Sequence, residues 1–166
     1  TTFWHDAIQK EMRNNAIAFE FAAPGDSIPI GYKKIPLRMI FNVKMDFTRK
    51  ARFVANGSTT EAPVALCYSS VVSRDSVRIA FLVAALNDLD VFACDIGNAY
   101  LNAPCLEKIW FQAGIECGHS VQGRVMRLTR ALYGLKSSGA SWRKMFKDYI
   151  ETTLEFKSSR IDPDIY

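Results

Sequence analysis

Two runs of alternating apolar and polar residues, separated by a short loop, constrain this chain more than any other feature. Met39, Phe41, Val43 and Met45 alternate with Arg38, Ile40, Asn42 and Lys44, and Ala51, Phe53 and Ala55 alternate with Lys50, Arg52, Val54 and Asn56. Successive strand side chains point to opposite faces, so period two on both sides of Asp46-Phe47-Thr48-Arg49 predicts a β-hairpin over residues 38–56. One face is apolar and has to be covered by another element. The other carries Arg38, Lys44, Lys50 and Arg52. Such a cluster has two readings. It is a solvated strand face, or it is a flap that grips phosphate, since Arg and Lys pair with phosphate oxygens.

The other segments supply what could pack around that hairpin. In residues 3–15, Trp4, Ala7, Ile8 and Met12 fall at helical spacing, with Asp6, Lys10, Glu11 and Arg13 mainly elsewhere. Residues 23–36 hold three prolines and two glycines and predict an irregular connection, and residues 57–70 predict a second loop. Ser73-Arg74-Asp75-Ser76 offers N-cap candidates for a helix running to about Asn87. Apolar residues surround most of that helix (Val77, Ile79, Phe81, Leu82, Val83 and Leu86 among them), which predicts burial on more than one side.

Farther on, strands are expected at 108–111 and 124–129, then a glycine-bounded turn at 130–139. A helix over 138–155 follows, whose stripe of Trp142, Met145, Phe146, Tyr149, Ile150 and Leu154 reads as core. Asp88 and Asp90, like Asp162 and Asp164, read as turn formers rather than ligands. Irregularly interleaved helices and strands with a tight hairpin predict an α+β fold, a mixed or mainly antiparallel sheet with packed helices.

At 166 residues the chain has the length of one domain, and 49% hydrophobic with 23% charged residues is a globular composition. A net charge of +4 permits a polyanionic partner without demanding one. Four separated cysteines and two histidines give no zinc-type spacing, so reduced thiols in an intracellular setting are expected. The longest apolar run, 79–86, is about half of what a membrane span needs, and no signal peptide is evident. Neither end carries a recognisable cap, and the chain is expected to be a piece of a longer polypeptide.

The chemistry concentrates at Val91-Phe92-Ala93-Cys94-Asp95-Ile96-Gly97-Asn98-Ala99-Tyr100-Leu101. Four residues that suit a buried strand run into a carboxylate, followed by a glycine turn and a small-residue helical start. Asp95 is either a solvated acid closing a strand before a turn or a metal ligand at the edge of a sheet.

Three segments resemble the reverse transcriptase of copia-type retrotransposons, the RNA-directed DNA polymerase domain of a Pol polyprotein. Lys50-Ala51-Arg52-Phe53-Val54-Ala55-Asn56-Gly57 is similar to the family's K-A-R-L-V-A-x-G segment. Asp95-Ile96-Gly97-Asn98-Ala99-Tyr100-Leu101 looks like its D-V-x-x-A-[FY]-L motif. Ala131-Leu132-Tyr133-Gly134-Leu135-Lys136, with Trp142 downstream, matches its A-L-Y-G-L-K…W segment. Phe41-Asn42-Val43-Lys44 and Asp162-Pro163-Asp164-Ile165-Tyr166 fit in the same order, and the resemblance extends over nearly the whole chain from Trp4.

The resemblance implies the fingers and partial palm of a right-hand polymerase, one domain over 1–166 truncated at its C-terminus, with 1–88 mainly fingers and 89–166 mainly palm. It implies Asp95 as a catalytic carboxylate and metal ligand, with two Mg²⁺ (or Mn²⁺) ions in the complete domain. Nucleotide contacts fall to Lys44, Arg52, the turn Ile96, Gly97, Asn98 and Ala99, and Tyr100, whose ring under the sugar excludes a 2′-hydroxyl. Gly134 and Lys136 would lie beside the base and template. The implied partners are an RNA template, a DNA primer, dNTPs and the rest of a Pol polyprotein, with no membrane, inside the cell in a cytoplasmic particle or the nucleus.

The chain departs from the family pattern at Ser137, where Gln is frequent, and at Ser58-Thr59-Thr60, where an aromatic or His is often found. It also contains no Asp-Asp pair, whereas the family's other two catalytic acids lie in a Tyr-x-Asp-Asp hairpin. The chain alone is therefore expected to be inactive. Competing readings are a non-catalytic nucleic-acid-binding remnant of such a domain and a decayed product with no present role.

Overall fold

The computed structural model describes residues 2–23, 28, 30–60 and 67–166. The first helix, α1 (Thr2–Asn15), is followed by short strand β1 (Phe19–Phe21) and the two-residue strand β2 (Lys33–Lys34). The hairpin then forms as the alternation requires: β3 (Leu37–Val43) and β4 (Arg49–Ala55) pair antiparallel, Leu37 opposite Ala55 and Val43 opposite Arg49. Arg49 belongs to the strand rather than to the predicted loop. The turn closes by Lys44 N–H donating to the Thr48 carbonyl at 2.9 Å, with Phe47 in the left-handed region.

Helix α2 (Arg74–Leu86), strands β5 (Ile109–Gln112) and β6 (Val125–Leu128), and helix α3 (Ser138–Thr152) complete the order. A four-stranded sheet runs β1-β6-β5-β2, antiparallel except for the parallel β2–β5 pair. This is an α+β fold with a mixed sheet, as the sequence predicts. The strands β1 and β2 were not foreseen. Both are very short, and β2 lies in the proline- and glycine-rich connection, of which Pro24, Gly25 and Pro29 lie outside the described residues, as do 61–66 of the predicted loop 57–70.

Two apolar clusters hold these pieces together. Phe53 of the hairpin meets Phe111 and Phe19 edge to face, with Met126 beside them. A second cluster joins Ile35, Ala55, Leu101, Ile109, Leu128, Leu132 and Leu135. Because Ala51, Phe53 and Ala55 point to one face, burial of that face seats the hairpin on the rest. Helix α1 covers the same face. Trp4 packs edge-on to Phe41 at 5.1 Å, and the Glu11 carboxylate accepts the Phe53 amide at 2.9 Å.

Three expectations are corrected. Residues 91–94 form no strand and are exposed, Phe92 at 97%. No strand among the described residues pairs with them, and without a ladder partner an apolar run forms no β-strand. Helix α2 forms with Ser73 as its N-cap, accepting from the Ser76 amide at 3.0 Å, yet none of its residues is buried and Leu86 is 75% exposed. The apolar stripe of α3 is only partly covered. Trp142 and Phe146 stack at 5.3 Å, Tyr149 is exposed, the helix ends at Thr152 rather than at 155 so that Leu154 lies exposed beyond it, and the buried positions are Ser138, Ala140 and Ser141.

Candidate functional site

The hairpin register puts Arg38, Lys50 and Arg52 on one face, since they stand opposite Val54, Asn42 and Ile40. Lys44 follows β3 directly. Asp46, in the turn, accepts the Thr48 amide at 3.0 Å; this bond, with a weaker attraction from Lys44, holds its carboxyl below the ordinary 3.8. None of the ion pairs among the described residues includes Lys44, Lys50 or Arg52.

The 95–101 segment lies across from the hairpin as a turn entering a 3₁₀ helix at Ala99–Asn102. Asp95 and Ile96 are exposed. Gly97 meets open space, and Asn98 takes a left-handed conformation (φ 52°) that its short polar side chain tolerates. Among the described residues, the amides of Ile96, Gly97 and Asn98 have no backbone partner. Successive unpaired amides at such a turn suit an anion. Tyr100 is half-buried, its ring 4.7 Å from that of Tyr133 at a 51° tilt.

Lys44 and Asn98 line the same cavity of about 250 Å³, together with Lys10, Glu11, Arg49 and Lys50. The fold thus brings Asn98 of the 95–101 motif to the hairpin, whereas Asp95 and Tyr100 do not line that cavity. Arg52 shares a face with Lys50 but does not line that cavity.

Gly134 and Lys136 join the hairpin to the sheet. Tyr133 O accepts the Ala55 amide at 2.8 Å, and Gly134 (φ 93°) lies so close that a Cβ there would overlap the Ala55 carbonyl. The Lys136 ammonium donates to the Thr60 carbonyl at 2.5 Å. Ser137 donates through its amide and hydroxyl to Glu107, at 3.3 and 2.7 Å, fixing the entry into α3. Sequence reasoning missed Glu107, which has no local signal because its partner lies far along the chain. It also gave no role to Tyr133, although that residue sits inside the quoted 131–136 motif.

Among the described residues, no group of three or more His, Cys, Asp and Glu side chains could hold a metal ion. Asp95 by itself does not make a divalent-cation site, so the donor set for such ions is incomplete in these residues.

Residues 26–166 match the family described as reverse transcriptase (RNA-dependent DNA polymerase). The chain belongs to the reverse transcriptase family. Relatives of this reverse transcriptase segment include the Transposon Ty1-BL and Ty1-DR4 Gag-Pol polyproteins of Saccharomyces cerevisiae (strain ATCC 204508 / S288c), each 34% identical over 116 residues, or 67% of this chain. The match covers 6% of the first polyprotein and 7% of the second, so the reverse transcriptase segment spans a small part of their length. No solved structure matches it. No helix among its described residues is long and apolar enough to cross a membrane.

Proposed function

We propose that this chain is the nucleotide- and template-holding part of a copia-type RNA-directed DNA polymerase, carried inside the cell within a longer Pol polyprotein. Residues 1–88 act mainly as fingers and 89–166 mainly as palm. The observation that carries the reading is the shared cavity of Lys44 and Asn98, which come from two motifs far apart in sequence.

In this reading Lys44 and Arg52 pair with triphosphate oxygens, and the amides of Ile96 to Ala99 donate to them. Tyr100, braced by Tyr133, lies under the sugar and selects deoxyribose. Gly134 and Lys136 hold the hairpin beside the base and template. In a complete domain Asp95 would help to hold two divalent ions, Mg²⁺ or Mn²⁺, which would supply charge neutralisation at the phosphates and activation of the primer hydroxyl. Asp95 is the one carboxylate of that set that its motif offers here.

With no Asp-Asp pair in its sequence, the chain alone binds but does not polymerise. A primer-extension assay on a primed RNA template with Mg²⁺, run beside a binding titration, tests this. Salt-sensitive binding weakened by Arg52→Ala, with no product, is expected. Synthesis by the chain alone overturns its inactivity, and absence of any binding overturns the reading. Lys44, Lys50 and Arg52, which enter no ion pair among the described residues, also favour a second reading, a non-catalytic nucleic-acid-binding remnant. The parent reading frame, expressed through any following Asp-Asp pair, separates the two by whether DNA is made.

A further inference from the structure

We propose that α1 completes a phosphate-binding groove, in which Lys10, Arg49 and Lys50 join Lys44 in holding the phosphate oxygens of a polyanion. The groove is the cavity of about 250 Å³ between α1 and the hairpin, bordered by the turn at Asn98. Helix α1 precedes the 26–166 span that matches the reverse transcriptase family, and Lys10, Arg49 and Lys50, although they line the cavity of the nucleotide site, carry no nucleotide contact in the reading above.

Three elements converge there, and two of them bring four cations: α1 supplies Lys10, and the hairpin supplies Lys44, Arg49 and Lys50. The single acid lining the groove, Glu11, has one carboxylate oxygen engaged by the Phe53 amide at 2.9 Å. Lys10, Lys44, Arg49 and Lys50 enter none of the ion pairs among the described residues. Arg49 is held in place by its bond to the Phe47 carbonyl at 3.1 Å and by its guanidinium lying 5.2 Å from the centre of the Phe3 ring. These contacts orient the guanidinium and leave most of its N–H donors for a ligand. Asn98, which lines the groove, adds an amide that has no backbone partner among the described residues.

A merely solvated face has no reason to gather cations from separate elements around one concavity, because like charges repel. A phosphate chain removes that repulsion. Its source is either a free triphosphate or the backbone of a nucleic acid. The inference rests on the nucleotide-holding reading for the nature of the anion, not for the place of the groove.

Isothermal titration of the chain with sodium tripolyphosphate, and separately with a primed RNA–DNA template, tests it at two salt concentrations. Lys10→Gln and Arg49→Gln are expected to weaken binding about fivefold at low salt. Each is also expected to make the salt slope for the template shallower by about one. Arg49→Lys, which keeps the charge, is expected to retain most of the affinity. Lys10 is exposed, so its substitution leaves the fold intact, as circular dichroism would verify. Tripolyphosphate binding identifies a triphosphate site, and binding of the template alone identifies a backbone site. If neither ligand binds, or if Lys10→Gln and Arg49→Gln leave both titrations unchanged, the groove is not a phosphate site. A loss confined to Arg52→Gln would overturn this inference and leave the proposed function standing.

Discussion

The backbone of Gly134 lies directly against that of Ala55, with no room for a side chain between them. The packing is reciprocal, because a Cβ on Gly57 would overlap the carbonyl oxygen of Gly134. These two glycines let the 131–136 turn seat on the end of β4, where the Ala55 amide donates to Tyr133 O. Gly134 carries the additional demand of φ 93°. Gly134→Ala therefore combines backbone strain with overlap and is expected to cost about 2–4 kcal/mol. Gly57→Ala, which adds overlap alone, is expected to cost about 1–3 kcal/mol. Urea unfolding of the two variants checks the order, and equal or negligible losses would show that the junction yields.

The same junction shows which parts of this molecule are legible in the sequence. The hairpin is readable because its alternation is a local consequence of strand geometry, and Phe53 does point inward with Phe111 as the pattern requires. The cap at Ser73 and helices α1 and α3 are readable for similar reasons. Burial of α2 and strand formation at 91–94 are not, because both depend on what lies opposite. An apolar surface records the need for a cover and does not say which element provides it. Within the candidate site, Lys44 and Asn98 could be named from their motifs. That α1 would bring Lys10 to the same cavity could not, since that depends on how α1 packs across β4.

Asp162 ties the segment after α3 to the start of α2. Its carboxylate accepts from the Ser76 hydroxyl at 2.6 Å, the Ser73 amide at 2.9 Å and the Asp164 amide at 3.1 Å. These bonds, the Ser76 hydroxyl foremost, favour the ionised form and hold its carboxyl below the ordinary 3.8. The folded state thus binds the proton less readily than the unfolded state. The stabilisation is present above pH 3.8 and is lost as pH falls through the lower folded value. Asp162→Asn is expected to be less stable at neutral pH and to show a shallower loss on acidification. Urea midpoints between neutral and strongly acid pH measure it, and parallel curves for the two proteins would contradict the tie.

The four cysteines divide by environment. Cys67 and Cys94 are exposed, whereas burial pushes the Cys105 and Cys117 thiols up to about 11, with the Glu116 charge adding to it at Cys117 and the bond to the Glu107 carbonyl opposing it at Cys105. Alkylation follows the thiolate and its access. At pH 8, brief iodoacetamide treatment is expected to label Cys67 and Cys94 well ahead of Cys105 and Cys117, and denaturant is expected to level all four. Peptide mass spectrometry reads the sites directly. Early labelling of Cys105 would show that the region around Glu107 and Ser137 opens readily.

The segment before Asp95 makes the last prediction. Its residues 91–94 carry the apolar character of a core strand, yet they lie exposed and make no backbone hydrogen bonds among the described residues. The preceding turn differs, since the Leu89 amide donates to the Ala84 carbonyl at 2.9 Å. Amides 91–96 are therefore expected to exchange with deuterium at nearly the rate of an unstructured chain, while those paired between β5 and β6 exchange slowly. Protection at 91–96 in the isolated chain would mean that a pairing partner is supplied by a second copy or by residues outside those described. Concentration dependence of that protection would separate the two. Absence of protection leaves Asp95 on a segment that has no ladder to fix it, which is the physical reason a lone carboxylate there does not yet make a metal site.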